Sequence, residues 1–327
     1  MNLPALPGWA RARSLLIVLV AAGLAVLALR SGSATAPLSR LRGAEPGWLL
    51  VAVLAQAASL LAYALIVRGL LSAGGVTARL SALVRATLGG IAMGASLPGG
   101  QVASAAYWYR LLCKEGADTG RATFAMVGSM LAGVLSLAAL LVVGVAIAGG
   151  EGPLAGVRIP VLACCATTVV VAVCGRRVVA PLFRPLSRSR FASLQGLVSL
   201  DRDDMLSVGG LAFANWLFDC GSLWASLAAV HAHVEPQSIL LTYALAQLVA
   251  AVPLLPGGGG TVEATLVVTF AAFGHHSGSL IGGVLLFRVI SCWGLVPVGW
   301  AAVALRRPTL RFPTAFRHVP PFAARPA

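Results

Sequence analysis

The stretch Ser96-Leu97-Pro98-Gly99-Gly100-Gln101 and its echo Leu254-Leu255-Pro256-Gly257-Gly258-Gly259-Gly260 lie at the centres of two apolar regions, 86–112 and 238–275. Proline removes a backbone donor and fixes φ, and glycine loosens the chain, so each copy ends a helix. Inside hydrocarbon the freed backbone groups find no replacement partner, so each break must be enclosed by protein or by a watery cavity. Paired discontinuities in the two halves of a hydrophobic chain point to a transporter's binding site.

Working outward, the whole chain has the composition that such breaks require. Of 327 residues, 58% are hydrophobic and 10% charged, against about 25% charged in soluble domains. The expected class is an all-α, polytopic integral membrane protein. The net charge of +14 does not indicate nucleic acid, because the arginines sit between apolar runs and form no basic surface interleaved with aromatics. Lys114 is the single lysine in an Ala-, Gly- and Arg-rich chain, the coding bias of a GC-rich bacterium, and the expected location is the bacterial inner membrane. The six cysteines lie mostly within apolar runs and show no zinc-type spacing. No cofactor is expected. Arg11, Arg13 and the apolar run Ser14 to Leu29 resemble a signal peptide, but the repeat described next needs this segment as an uncleaved helix.

Spanning helices are expected at about 14–30, 47–67, 122–149, 159–175, 205–231 and 279–305, each near the roughly 20 residues a bilayer core requires. The arms beside the breaks are short. Thr87 to Leu97 rises roughly 17 Å and Thr261 to Gly274 roughly 21 Å, against roughly 30 Å of hydrocarbon, which suits re-entrant hairpins. Six spans plus two broken hairpins is the expectation, with eight or ten crossings as open alternatives. With both termini cytoplasmic, nineteen of the 24 basic residues face inside and four (Arg30, Arg40, Arg42, Arg158) face outside, Arg288 lying within an apolar run. That is a decisive positive-inside bias. One transmembrane domain, 1–305, therefore divides into halves 1–155 and 156–305 with the same order of helix, helix, broken hairpin, helix. Three net crossings per half make this an inverted repeat. A basic cytoplasmic linker covers 176–204, and a proline-rich tail, 306–327, is expected to be disordered.

Where a broken helix restarts, unpaired N–H groups and the positive dipole end suit an anion. The candidate head-group contacts are therefore Pro98, Gly99, Gly100 and Gln101 at the first break and Pro256, Gly257, Gly258, Gly259 and Gly260 at the second. The competing reading is that the glycines only permit close packing of the hairpin tips. Glu263 opens the helix after the second break, and Arg288 interrupts the last apolar run. Charges in a bilayer need a partner or a cavity, so the two are expected to serve one another, either as a structural salt bridge or as a site where Arg288 holds a lipid phosphate and Glu263 gates or couples to protons. Asp219, one turn after Asn215, predicts a polar seam and joins Glu263 and Arg288 among the candidate head-group contacts. Tyr107-Trp108-Tyr109-Arg110 reads as an interfacial belt. His231, His233, His275 and His276 lack the carboxylates or cysteines of a recognisable metal site. No catalytic constellation assembles, and the chain is not expected to be an enzyme.

Leu255-Pro256-Gly257-Gly258-Gly259-Gly260-Thr261-Val262-Glu263-Ala264, followed by Leu286-Phe287-Arg288, resembles the transmembrane region of the lysylphosphatidylglycerol synthase (flippase-like) family. Leu97-Pro98-Gly99-Gly100, with Gly116 and the helix after Arg121, is similar to its first-half counterpart, and the resemblance covers roughly 45–305. The family's first loop commonly carries a Gly-Glu pair and the next helix an arginine. Here Gln101 and Gly128-Ser129-Met130 stand in those places. Members that make aminoacylated lipid carry a soluble transferase domain after the membrane region, and the chain has no room for one. The resemblance therefore implies the translocation half: a protein moving an anionic phospholipid or a lipid-linked glycan between leaflets. Two alternatives stay open, a non-transporting membrane partner that presents lipid to a separate transferase and an intramembrane lipid-modifying enzyme.

Overall fold

The computed structural model describes residues 43–97, 99–147, 201–250 and 260–304. Among them every regular element is helical: α1 (Pro46–Ala73), α2 (Leu80–Ser96), α3 (Gly100–Lys114), α4 (Thr119–Ile147), α5 (Arg202–Ala229), α6 (Pro236–Ala250), α7 (Thr261–Ala272) and α8 (Gly278–Ala304). The expected helices at 14–30 and 159–175, the boundary between the halves, nearly all of the linker and the tail lie outside the described residues. So do Pro98, Pro256, Gly257, Gly258 and Gly259. The protein is all-α and polytopic.

Local chemistry sets the helix ends. Pro46 opens α1 at a position where its missing N–H costs nothing. Asp201 accepts from the Arg202 N–H at the start of α5, with Asp203 and Asp204 in its first turn. Asp118 and Ser277 cap α4 and α8 in the same way, accepting from Arg121 and Leu280. Helices α1, α4 and α8, of 28, 29 and 27 residues, are long and apolar enough to cross a membrane. α5 is equally long at 28 residues but carries acids in its first turn and Asp219 in its interior. The hairpin arms are shorter, 17 and 15 residues for α2 and α3, 15 and 12 for α6 and α7. At 1.5 Å per residue the longest described stretch, α2, reaches roughly 26 Å, below the roughly 30 Å core, while α6 adjoins residues outside the described ones.

Helices α1 and α5 pack along each other in opposite directions and form the central pair. Glu45 N–H donates to Ala229 C=O (2.9 Å) at one end, Ser59 Oγ donates to Asn215 Oδ1 (3.1 Å) in the middle, and Gly69 lies against Val208 at the other end. The helix pairs α2–α3 and α6–α7 begin at opposite ends of this bundle. The base of α2–α3 closes where Arg79 N–H reaches Glu115 Oε2 (3.3 Å), at the end shared by Gly74 and Arg121. The base of α6–α7 closes at Glu235 and His275, 2.8 Å apart though outside hydrogen-bond geometry, and Glu235 shares a cleft with Glu45 at the other end.

α2 packs on the last turns of α8, and α6 packs on α4. Glycines make both approaches close. A Cβ on Gly299 would run into the Leu88 carbonyl and lie 2.7 Å from Ala92 Cβ, and one on Gly144 would lie 3.0 Å from Leu241. The aromatic segment of α3 departs from expectation. Trp108 is buried, edge-on to Tyr63 and against Gly90, so it is core and not an interfacial belt. Its ring fills the gap that Gly90 leaves between α2 and α3, which binds the hairpin to itself and to α1.

Because the obstacle at Gly299 is backbone, Gly299→Ala should lower thermal stability in detergent by overpacking, by roughly 1–3 kcal/mol. Gly282→Ala, where nothing lies within 4 Å, should be neutral or slightly stabilising through helix propensity. Melting curves of the two variants side by side provide the check.

Candidate functional site

At the second break, Gly260 adopts φ +82°, a region that only glycine enters without strain, and turns the chain into α7. Glu263, three residues on, sits where a helix's third residue folds back over its own start. Its Oε2 accepts from the Gly260 N–H at 2.7 Å, half of a reciprocal cap, since glycine has no side chain to return the bond. Its Oε1 accepts from Arg288 Nε–H, also at 2.7 Å. The pair is enclosed, with side chains 14% and 9% exposed for Glu263 and Arg288. The expected pairing of these two residues is present.

Arg288 ends the regular first part of α8 and is followed by a π turn, Val289–Trp293, closed by Gly294 N–H to Val289 C=O (2.7 Å). The cause lies just beyond, because Pro297 cannot donate and its ring would crowd the carbonyl four residues back. The turn leaves Arg288 and Cys292 facing inward and Val289 and Trp293 outward. Gly294 is required there, since a Cβ would lie 2.6 Å from the Val289 carbonyl.

The expected seam at Asp219 is also present and is larger than the sequence reading had it. Tyr243 Oη donates to Asp219 Oδ2 at 2.6 Å and Gln247 Nε2 donates to the same oxygen at 3.2 Å, both from α6. The Gln56 amide of α1 faces the carboxylate as well, and Arg288 lies within electrostatic reach. One turn earlier Asn215 takes the Ser59 hydroxyl, and Trp216 Nε1 donates to Gly133 C=O at 2.8 Å. Sequence reasoning missed Tyr243, Gln247 and Gln56. The available signal was faint, a Tyr and a Gln one turn apart in α6 and a single amide in an otherwise apolar stretch of α1.

The first break is built differently. Gly99 has φ +67°, and a Cβ on Gly100 would collide with the Met93 and Gly94 carbonyls, so both glycines are accounted for by turning and by close packing. Gln101 is exposed. Ser96 Oγ donates to Ala92 C=O and accepts from Trp300 Nε1 (3.2 Å). Trp300 lies twelve residues beyond Arg288 on α8, roughly 18 Å along the axis. Ser96 and Glu263 thus meet α8 at two levels, and the structure joins Gly260, Glu263 and Arg288, with Asp219 in electrostatic reach, without drawing Gly99, Gly100 or Gln101 to them. At the far end of α1 and α5, Glu45, Trp48, Trp224, His231, His233 and Glu235 line a separate cleft of about 470 Å³. Among the described residues no three metal-ligating side chains converge.

The family model described as the lysylphosphatidylglycerol synthase TM region matches residues 14–299. The chain belongs to that family. It is similar to a UPF0104 membrane protein of Methanothermobacter thermautotrophicus, 31% identical over 90 residues that make up 27% of each chain. It is likewise similar to an uncharacterized protein of Synechocystis sp., 31% identical over 96 residues, 29% of each chain. The matched segment spans under a third of these curated relatives.

Removing one partner of an enclosed ion pair strands the other charge. Arg288→Ala should cost roughly 3–5 kcal/mol, whereas replacing both charges with Glu263→Gln and Arg288→Met should recover most of the loss. Thermal unfolding of the two single variants and the double variant tests this.

Proposed function

We propose that this family member carries the head group of an anionic phospholipid or lipid-linked glycan across the membrane, with Arg288 as the head-group contact. The observation that carries the reading is the position of Glu263. The N-terminus of α7 and the Arg288 guanidinium together form a site for an anion, and the chain's own carboxylate fills it. A phosphate offers the same acceptor chemistry as that carboxylate, with more oxygens and more charge. It can therefore take Arg288 and the Gly260 N–H while Glu263 swings away. In this reading the ion pair is the occluded, ligand-free state, and exchange of one anion for another opens it.

The two hairpins supply the remaining parts. Entering from opposite ends of the bundle with arms too short for the hydrocarbon core, they suit re-entrant hairpins of an inverted repeat. The sidedness of the basic residues then puts both termini in the cytoplasm of a bacterial inner membrane, the first hairpin opening inward and the second outward. Each hairpin rests on the closing helix of the other half, so a tilt of one half against the other moves both tips together. Contacts to the head group come chiefly from the second hairpin, and Gly99, Gly100 and Gln101 form the surface against which the moving lipid slides.

Purified protein in liposomes containing fluorescent phospholipids should move anionic species between leaflets. Arg288→Ala should abolish the movement and Glu263→Gln should slow it at least tenfold, because closure is lost. No movement of any anionic lipid or lipid-linked sugar by wild-type protein, or unchanged rates in both variants, would overturn the proposal. Lipid that is bound and never moved would point instead to a protein that presents lipid to a separate transferase.

A further inference from the structure

The two carboxylates of the central seam are held by different kinds of partner. Both oxygens of Glu263 face groups that only donate, the Gly260 N–H and the Arg288 Nε–H. Such partners suit a fixed carboxylate and have nothing to offer a carboxylic acid. Asp219 faces the Tyr243 hydroxyl, the Gln247 amide and the Gln56 amide, each of which can donate or accept. They serve a carboxylate by donating, and a carboxylic acid by turning over and accepting. Gln56 Oε1 is already a buried acceptor without a donor among the described residues, on a side chain only 5% exposed.

Charge leads to the same residue. With Glu263, Arg288 and Asp219 all ionised, the described core of the seam carries one negative charge in excess, in surroundings where an uncompensated charge is costly. Of the other groups facing Asp219, Tyr243 on α6 and the Cys220 thiol on α5 bring no positive charge, and Arg288 on α8, within electrostatic reach, gives its Nε–H to Glu263, so one guanidinium serves two carboxylates. α4 contributes only Arg121 at its start, paired with Asp118. α1 contributes Gln56.

We infer that Asp219 is a proton-binding site: its carboxylate takes a proton from water, forming an O–H bond and bringing the seam to neutrality, and returns it without disturbing the Glu263–Arg288 pair. Asp219 is only partly buried, so its carboxylate is not sealed within the packed core. Its ionised carboxylate would repel an anionic ligand, so proton binding replaces the head-group contact expected of Asp219 from the sequence. Used in transport, the proton would neutralise Asp219 while the anion holds Arg288. That use rests on the flippase reading above, whereas the binding of the proton does not.

Infrared difference spectra of the full-length protein in membranes, acidic minus alkaline, test the site directly. A carboxylic-acid carbonyl band that shifts in D2O should be present in wild type and in Glu263→Gln, and absent from Asp219→Asn. Tyr243→Phe, which keeps the ring and removes one hydrogen bond, should move the band in frequency without removing it, so the assignment survives even if Asp219→Asn fails to fold. A band unaffected by both Asp219→Asn and Tyr243→Phe, one lost in Glu263→Gln, or no such band at any pH at which the helices persist, would overturn the inference. A liposome assay without lipid movement alongside a normal Asp219 band would sink the transport reading and leave the proton site standing.

Discussion

A charge or a severed helix end inside a lipid-facing bundle must be satisfied by the chain itself, and the contact of Glu263 with Gly260 and Arg288 meets that requirement for three groups at once. The carboxylate closes the exposed start of α7, neutralises the guanidinium on α8 and anchors the tip of one hairpin to the last long helix. Hydrogen bonds to charged groups contribute about 1.5–3 kcal/mol each, but removal of a partner inside a low-dielectric environment costs more than formation returns. The arrangement is therefore stable only while an anion stands at that position. The requirement specifies charge and acceptor geometry, and a phosphate meets both.

Around this contact the helices form a cross-braced frame. α1 and α5 run antiparallel at the centre, and α2 leans on α8 and α6 on α4 through glycine-lined approaches. The Leu88 carbonyl at Gly299 and the branched Leu241 side chain at Gly144 leave no slack at these two contacts. The π turn after Arg288 relieves the strain of Pro297 and sets the face on which the guanidinium appears. A kink forced by proline thus determines where the charge points.

Much of this was legible in the sequence. Pro-Gly-Gly in an apolar run is a break whatever surrounds it, and Glu263 and Arg288 stand out because ionisable residues in such runs are costly. The four long helices described coincide with the expected spans to within a few residues. Less legible was which anion would occupy the N-terminus of α7. The spacing of Gly260 and Glu263 is that of a helix cap, yet the same dipole argument also invites an external ligand, and only geometry decides between them. The partners of Asp219 were hidden because a Tyr and a Gln one turn apart in an apolar helix look like tolerated polar residues until α6 is packed on α5. Trp108 misled for the opposite reason. An aromatic run ending in arginine matches an interfacial belt, and the small residues at Gly89 and Gly90 that draw it inward belong to a different helix.

In the proposed transport role Glu263 holds the place of a ligand anion on Arg288. Native mass spectrometry of the purified protein with an equimolar mixture of anionic and zwitterionic phospholipid distinguishes this role from a purely structural ion pair. Wild type should retain the anionic lipid preferentially, Glu263→Gln should retain several-fold more of it because the competing carboxylate is gone, and Arg288→Ala should lose the preference. Equal retention by all three proteins, or weaker anionic binding in Glu263→Gln than in wild type, would contradict it.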